Sequence, residues 1–454
     1  MNEINDTFLE LRLQAQTYID DILKIFTDDL DKSAREYKAI ERNSETSNAK
    51  LLLQLMLIYA ASNFSMRLIA ACGYLMGFVN VSDEAWRQKF LKCSAWIFFL
   101  LQNSLNTLAP TALAFNHDGQ DMQVYLIDAT TFKQVGKKGI ELRTHMCYNL
   151  TKGAMEEVVV TDNHIAESTK RFTVKHGNLY IGDAVYGSGI NLEYISTLNG
   201  YVLFRVSPNL VRLTSDFEGK KVIDMSAKLK TVNKCININC YIHTQKGRYL
   251  PVRIMASRLP EDKALLAKER KIRAAQKKQT QIKETTLEYC QWVILMTNLD
   301  SNHSAKSLFH LYRSRWQIEL LFKRIKQFLG VKRIRKASLE HSKLLVMLWI
   351  LIWSAVEREA LKAEIQLIEQ CEELERYSPW VMTELIFNQF VTMLNALWAF
   401  SYDNALHLAD IYRFLRNHKD TRRNQYADYR FSCLLNPAVQ HQRPLSLYTA
   451  PRMY

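Results

Sequence analysis

The chain has 454 residues, of which 48% are hydrophobic and 23% are charged. This composition excludes a disordered or low-complexity protein and predicts roughly two to four domains. Sixty Lys and Arg residues against 46 Asp and Glu residues give a formal net charge of +14, so we expect a polyanionic partner such as nucleic acid. A basic enzyme without such a partner is the alternative.

The N-terminal segment MNEINDTFLE is acidic and has neither the basic nor the apolar region of a signal peptide. The apolar runs 51–61 and 344–355 are too short, or too soon interrupted by polar residues, to cross a bilayer. We therefore expect a cytoplasmic, nucleoid-associated protein without membrane contact. A zinc site at Cys235 and Cys240 is disfavoured, because no second cysteine pair or suitably spaced histidine run completes it.

Residues 1–115 form a predicted helical domain. Within it, a helix near residues 64–75, a turn at Gly77 and a second helix opening at Ser82 resemble a helix-turn-helix pair. The second helix would then offer four side chains to DNA: Trp86, Arg87, Lys89 and Lys92. An ordinary helical bundle gives the same pattern.

Strand patterns replace the helical ones from residue 118. The apolar run QVYLID ends in Asp128, the segments LRTHMCYNL and MEEVVVTD continue an antiparallel meander, and NLYIGD ends in Asp183. If the first and last of these strands are neighbours, both aspartates emerge at the same edge of the sheet. Either aspartate could instead cap the turn that follows it. Asp162, at the end of VVVTD, is a reserve candidate.

Residues 196–304 are predicted to be rich in strands. The predicted strands are YVLFRVS, KVIDMSAK, KCININCYIH, RYLPVRIMAS and QWVILMTNL. Between the last two, residues 261–280 form a basic helix suited to sequence-independent phosphate contact, unless it is merely a solvated surface.

Residues 311–330, LYRSRWQIELLFKRIKQFLG, are predicted to form one continuous helix. At 100° per residue, four polar side chains fall within about 60° of one another: Tyr312, Arg315, Glu319 and Lys326. An apolar stripe lies beside them: Ile318, Phe322, Ile325 and Leu329. Such a polar stripe could hold a metal ion and grip phosphates. The alternative is a surface helix in which Glu319 pairs with Arg315 and Lys323.

The spacing Y-x2-R-x3-E-x6-K resembles the signature of a known family, the bacterial insertion-sequence transposases with the YREK signature (IS-four type). These belong to the DDE group and have an RNase H-like core. Asp128 with Thr130, and Asp183 with Tyr186, resemble the family's two aspartate motifs. Ala184 departs from the pattern, because many relatives carry arginine there, and this removes one phosphate contact.

The resemblance implies an α+β multidomain fold: an RNase H-like mixed sheet with flanking helices, interrupted by a β-rich insertion, with helical N- and C-terminal regions. The expected segments are a helical domain for DNA-end recognition (1–115) and an RNase H-like core in two parts (116–195 and 305–345). The β-rich insertion (196–304) separates the two parts of the core, and a helical region for oligomerisation (346–454) follows them.

The resemblance also implies a transposase that cuts and pastes its own insertion sequence by end nicking, hairpin formation and strand transfer. Asp128, Asp183 and Glu319 would hold two Mg²⁺ ions, for which Mn²⁺ could substitute. The partners would be double-stranded DNA, both the terminal inverted repeats and the target, and a second copy of the chain. The implied DNA contacts are Tyr312, Arg315, Lys326, Trp292, Arg205, Lys323, Lys332 and Arg333.

Trp292 would stack on a base flipped out of the duplex, unless it packs in the core of the insertion. Two other functions stay open. One is a catalytically idle repressor that occupies the ends of the element, and the other is a general metal-dependent nuclease.

Overall fold

The computed structural model describes the backbone of most residues up to 398. The described residues are 2–42, 47–62, 64–78, 80–106, 115–117, 120–136, 139, 141–232, 234–244, 247–328, 334, 337–370 and 379–398. The predicted phosphate contacts Lys332 and Arg333 lie outside them, as does the C-terminal segment from residue 399.

Six helices form the N-terminal region: α1 (Asn2–Phe26), α2 (Leu30–Glu36), α3 (Ala49–Ala61), α4 (Met66–Leu75), α5 (Asp83–Lys92) and α6 (Ser94–Asn106). Side-chain oxygens start several of them, because they accept from otherwise unpaired N–H groups of the first turn. Ser82, for example, accepts from the N–H of Ala85 at the start of α5. The helical character predicted for this region is confirmed as far as residue 106.

Trp86 belongs to the core of these helices and not to a DNA-contacting surface. Its side chain is fully buried, and its ring lies 5.0 Å from that of Phe78, centroid to centroid. The prediction that Trp86 contacts DNA is therefore wrong, because the apolar face of α5 packs against the other helices. Lys92, in contrast, is largely exposed.

The remaining elements follow in the order β1 (Phe115–His117), β2 (Gln120–Met122), β3 (Val124–Lys133), β4 (Glu141–Asn149), β5 (Ala154–Asp162), β6 (Leu179–Gly182), α7 (Gly189–Thr197), β7 (Tyr201–Arg205), β8 (Leu213–Thr214), α8 (Met225–Lys230), β9 (Cys235–His243), β10 (Tyr249–Arg258), α9 (Glu261–Lys278), α10 (Glu284–Tyr289), β11 (Trp292–Thr297), α11 (Ala305–Arg313), α12 (Trp316–Phe328), α13 (Leu339–Gln370) and α14 (Pro379–Ala396).

Nine strands form one mixed sheet in the order β5-β4-β3-β6-β7-β11-β10-β9-β8. β6 runs parallel to both β3 and β7, and the other neighbours are antiparallel. The expected α+β class and the mixed, helix-flanked sheet of an RNase H-like fold are confirmed. The strands of the predicted insertion, β7 to β11, extend this same sheet beyond β6, and the division into five segments stays a prediction.

Alternation along the strands gives the sheet two buried faces. The first face carries Leu126 and Met146, which pack in one core with the N-terminal helices and with α12, α13 and α14. The second face carries Ile127, Cys147 and Phe204, which form a separate core with α7, α8 and the far strands. Each face of the sheet is therefore supported by its own packed layer.

One predicted strand is wrong. Within KVIDMSAK, residues from Met225 form the helix α8, because the carboxylate of Asp224 accepts from the N–H of Ala227 and caps a helical turn. The predicted strands on either side of it are confirmed as β7, β9, β10 and β11. In the described part of the chain, no helix combines the length and apolar character needed to span a membrane.

We expect Trp86→Ala to lower the free energy of unfolding by about 3–5 kcal/mol, because it leaves a large cavity in a packed core. Urea denaturation measures this loss. Lys92→Ala on the same helix is the matched surface control and should change the value by no more than ~0.5 kcal/mol. Equal effects of the two substitutions would contradict the buried position of Trp86.

His145 generates a pH-dependent stability. It is fully buried on the second face of β4, where its ring Nε2 lies 3.1 Å from Thr161 Oγ1. Burial lowers its pKa from 6.5 to about 4, and the charges of Arg171 and Arg143 act in the same direction. The folded state therefore resists protonation of His145. The contribution of neutral His145 to the free energy of unfolding is complete above pH 6.5 and is lost as the pH falls through about 4.

We therefore expect His145→Gln to reduce the loss of stability between pH 6.5 and 4 by up to about 3 kcal/mol. Urea midpoints of both proteins across that pH range measure it. An unchanged pH profile would show that another group dominates acid unfolding.

Candidate active site at the ends of two neighbouring strands

Asp128 lies on β3, and Asp183 directly follows the adjacent parallel strand β6. β6 ends at Gly182, so Asp183 is the first residue beyond it. The pairing of β3 with β6 sets Leu126 opposite Ile181, and the same register continued by two residues sets Asp128 level with Asp183. Because adjacent strands are ~4.8 Å apart, one cation could reach both carboxylates.

The strand that carries Asp128 does not end there, which corrects the expectation from sequence. β3 continues to Lys133 because it stays paired with β4 along that length. Its pairing with β6, however, stops after Leu126. Asp128 therefore lies where β3 loses one of its two neighbours, and this leaves room beside the carboxylate.

Each aspartate also makes a local backbone contact. The N–H of Ala129 donates to Asp128 Oδ1 at 2.8 Å, and the N–H of Val185 donates to Asp183 Oδ1 at 2.9 Å. The turn-capping role considered for Asp183 is therefore present. It occupies one oxygen of the carboxylate and is compatible with a second role for the other.

The prediction of one continuous helix over residues 311–330 is wrong, because the helix is interrupted by a turn at Ser314. Tyr312 lies in α11, Arg315 lies in the turn, and Glu319 and Lys326 lie in α12. The break is a tight turn in which Ser314 and Arg315 donate to the carbonyls three residues before them, at 3.0 and 3.1 Å. The Ser314 hydroxyl also donates to the Leu311 carbonyl at 2.6 Å.

The apolar stripe of α12 is confirmed as far as the described residues reach. Ile318, Phe322 and Ile325 are all buried in the first core. Leu329 lies outside the described residues. This packing seats α12 against the first face of the sheet and brings Glu319 to the strand ends.

Arg315 links two of the predicted catalytic carboxylates. Its Nη1 lies 3.3 Å from Asp128 Oδ2 and its Nη2 lies 2.5 Å from Glu319 Oε1. The ion pair between Arg315 and Glu319 considered from the sequence is thus present. The predicted pairing of Glu319 with Lys323 is not found in the described part of the chain, and the Lys323 ammonium lies instead 4.7 Å from the centre of the Trp316 ring.

Lys326 connects α12 to β3. Its ammonium donates to the Thr130 hydroxyl at 2.6 Å and lies 5.3 Å from the centre of the Phe132 ring. Burial lowers its pKa. Tyr312 remains near Arg315, because the centre of its ring lies 5.9 Å from the Arg315 guanidinium.

The site concentrates negative charge in a place with little water. Burial raises the pKa of Asp128 to about 7, and the charge of Asp183 adds to the increase, whereas the Ala129 N–H and Arg315 oppose it. The oxygen ligands, their closeness and this excess of negative charge fit a hard divalent cation. Among the described residues, however, no three Asp, Glu, His or Cys side chains form a ready-made metal site.

Trp292 opens β11 and is buried in the second core. It also lines a cavity of about 160 Å³ together with Arg205, Tyr289 and Ala184, the residue that follows Asp183. Both interpretations considered for Trp292 therefore keep support, because its ring packs in the core and also borders a space beside the aspartates.

Sequence reasoning missed Glu167. This residue lies in the loop between β5 and β6, where its Oε1 is 3.7 Å from Arg143 Nε. Burial raises its pKa, and the charge of Asp183 acts in the same direction. A single glutamate in a loop carries no periodic signal. The only indication in the sequence is that it stands between the two strands that carry the aspartates.

Comparisons with known proteins show the family to which the chain belongs. The family model for the transposase DDE domain matches residues 119–354. The chain is 30% identical over 327 residues to the InsL protein of insertion sequence element IS186A from Escherichia coli (strain K12). The aligned region covers 70% of this chain and 86% of InsL. The chain is also 30% identical over 328 residues to the transposase for insertion sequence element IS421 of Escherichia coli, with the same shares covered. The chain therefore belongs to the DDE transposases of bacterial insertion sequences.

Proposed function

We propose that the protein catalyses metal-dependent cut-and-paste transposition of its own insertion sequence. The observation that carries this proposal is the level placement of Asp128 and Asp183, with Glu319 linked to Asp128 through Arg315. Asp128, Asp183 and Glu319 would hold two Mg²⁺ ions, or Mn²⁺ in their place. The ions would supply Lewis acidity and acidify bound water.

Four phosphoryl transfers would follow at the same site. Water attacks the phosphorus at the end of the element, and the bond to the 3′-oxygen breaks to leave a free 3′-hydroxyl. That hydroxyl attacks the opposite strand, which expels the flanking 3′-oxygen and closes a hairpin. After water opens the hairpin, the same 3′-hydroxyl attacks target DNA and displaces a 3′-oxygen there.

The side chains around the carboxylates would position the DNA. Arg315 and Lys326 carry positive charge beside the strand ends, and Tyr312 adds a phenol, so the three are suited to hold phosphates flanking the scissile bond. Lys323 is exposed on α12 and would contact the backbone further along. In the basic helix α9 the only buried residue is Ala264, which leaves its cations available for sequence-independent contact.

The cavity beside Asp183 would receive a flipped base. Trp292 and Tyr289 give it aromatic walls, and Arg205 lies at the same cavity. Stacking on an aromatic ring offsets the cost of unpairing a base. The N-terminal helices would recognise the inverted repeat, and two copies of the chain would act together on the two ends, with the C-terminal helices as their contact.

The first test is nicking of end DNA with Asp183→Asn. We expect the variant to bind inverted-repeat DNA as the parent protein does, and to lose at least about a thousandfold in nicking rate with Mg²⁺ or Mn²⁺, because a metal ligand is removed. Gel shifts and denaturing gels measure the two quantities. Asp162→Asn is the matched control, since Asp162 ends β5 and should be dispensable.

Two outcomes of that experiment would reject the proposal. Salt-sensitive end binding without nicking in either metal indicates a repressor, and metal-dependent cutting without preference for the repeats indicates a general nuclease. Near-normal nicking by Asp183→Asn would remove that residue from the metal site.

We expect Trp292→Leu to slow hairpin formation about ten- to hundredfold while leaving the first nick nearly unchanged, because the lost stacking is worth about 1–3 kcal/mol. Trp292→Phe, which keeps an aromatic face, is the matched control and should be affected less. Thermal unfolding of both variants checks that the core is intact. Equal hairpin rates for the two variants would assign Trp292 to packing alone.

A further inference from the structure

A groove lies on the first face of the sheet, between α11 and the outer strands β9 and β10. It has a volume of about 580 Å³ and is lined by Cys235 and Ser257 of these strands and by one side of α11. Ser257 is two residues from Met255, which belongs to the first core, and Cys235 is its partner across the strand pair. Successive residues of a strand alternate between the two faces of a sheet, so both side chains lie on the first face.

The wall that α11 forms is fixed at two places. At its start, the buried Arg253 of β10 donates to the carbonyl of His303 at 2.8 Å, and His303 directly precedes Ser304, the residue that caps α11. In its middle, Leu308 is fully buried in the first core. The helix is therefore held with one constant side toward the groove.

Three basic side chains lie on the groove side of α11. Lys306, His310 and Arg313 are spaced by four and three residues, which places them within about 60° of one another around a helix. All three are exposed and line the groove. No acidic residue of the described chain lines it, and none of the three basic residues forms an ion pair with another described residue. Lys306 and Arg313 therefore bring positive charge that no lining carboxylate neutralises.

Hydroxyl groups add further donors to the lining. Ser257 lies on the sheet side of the groove and Ser307 in the first turn of α11. The oxygen of Ser304, in contrast, already accepts from the N–H of Ser307 at 3.1 Å. Lysine, arginine and serine side chains commonly contact DNA phosphates, and such contacts carry no sequence information. No Asn or Gln, the side chains that read adenine, lines the groove in the described part of the chain. The lining therefore favours the DNA backbone over its bases.

The groove begins beside the side chains proposed to hold the scissile phosphate. Arg313 directly follows Tyr312 and is two residues from Arg315. Lys306 lies about 10 Å further along α11, at a rise of about 1.5 Å per residue. Duplex DNA advances about 3.4 Å per base pair, so the row of cations has the length of about three base pairs. A duplex in the groove would extend away from the strand ends.

The groove and the cavity proposed for a flipped base lie on different faces of the sheet. That cavity is lined by Trp292 and Ile294, which belong to the second core, whereas the groove opens on the first face. DNA held at the cavity therefore leaves the groove accessible to a second duplex. A lining that favours the backbone suits DNA that is not selected by the inverted repeat, which in the proposed reaction is the target.

We propose that the groove between α11 and the strands β9 and β10 binds the backbone of target DNA, with Lys306 and Arg313 on its phosphates. This inference rests on the proposed transposition. His310, Ser257 and Ser307 add hydrogen bonds from the two walls. The proposal gives the first face of the sheet a second DNA, beside the element's end that is processed at the carboxylates.

An ordinary solvated helix surface makes a different prediction. On such a surface, Lys306 and Arg313 would contribute no more to DNA binding than exposed cations elsewhere on the chain, and DNA would leave the groove open to small reagents. Salt dependence and chemical protection separate the two roles.

One experiment measures how salt weakens the binding of an unrelated duplex to the full-length protein that already holds a pre-cleaved element end. Each phosphate contact contributes about 0.9 to the slope of log affinity against log salt, so we expect the double substitution Lys306→Gln and Arg313→Gln to lower the slope by about 2. The double substitution Lys221→Gln and Lys228→Gln is the matched control, because both lysines are exposed and lie outside the groove. It should leave the slope unchanged, and equal slopes for the two double variants would overturn the inference.

A second experiment uses the parent protein and needs no variant. Cys235 is an exposed thiol in the groove, and the partly exposed Cys290 lines the cavity proposed for the flipped base. Alkylation followed by mass spectrometry therefore reports on each place separately. We expect a pre-cleaved end to slow the alkylation of Cys290 alone, and an added unrelated duplex to slow that of Cys235. Protection of Cys235 by a flanked end without target would assign the groove to flanking DNA and overturn the inference.

The inference and the proposed function fail separately. If the protein nicks end DNA with metal while the unrelated duplex leaves Cys235 reactive, the groove is rejected as a target site and the proposed function stands. If no nicking occurs with Mg²⁺ or Mn²⁺, the proposed function fails, and with it the assignment of the bound duplex as a target.

Discussion

The parallel pairing of β3 with β6 is the constraint on which the site depends. Three residue pairs, from Val124 with Leu179 to Leu126 with Ile181, set the register, and the two aspartates follow it at the same level. A slip of one residue would send one carboxylate to the opposite face. The apolar side chains of these pairs are buried in two separate cores, so packing on both faces opposes such a slip.

Two arginines hold carboxylates, one on each face of the sheet. Arg315 joins Asp128 to Glu319 on the first face, and Arg143 holds Glu167 on the second. Without such cations, several buried carboxylates would repel one another and would shift toward their protonated forms. A guanidinium can also bind a phosphate with the same geometry as a carboxylate. Arg315, which holds two acidic groups on the first face, is the arginine proposed above to contact DNA.

The break between α11 and α12 has a structural consequence. It separates Tyr312 from Glu319 and places Arg315 in the turn, where its guanidinium reaches one partner on β3 and another on α12. In an unbroken helix, Arg315 would face Glu319 along the same surface stripe, as an ordinary pair four residues apart. The turn makes the residue a connection between the sheet and the helix.

The sequence by itself determined the features that repeat locally: the aspartates that end apolar runs, the buried stripe of Ile318, Phe322 and Ile325, and the basic helix α9. These follow from side-chain periodicity and capping, which neighbouring residues decide. It did not determine the turn at Ser314, the burial of Trp86 or the position of Glu167. Each depends on contacts between segments far apart in the chain. The metal ligands and DNA contacts stay predictions, and the tertiary structure alone decided which charged groups share one buried, water-poor space, because only folding brings them together.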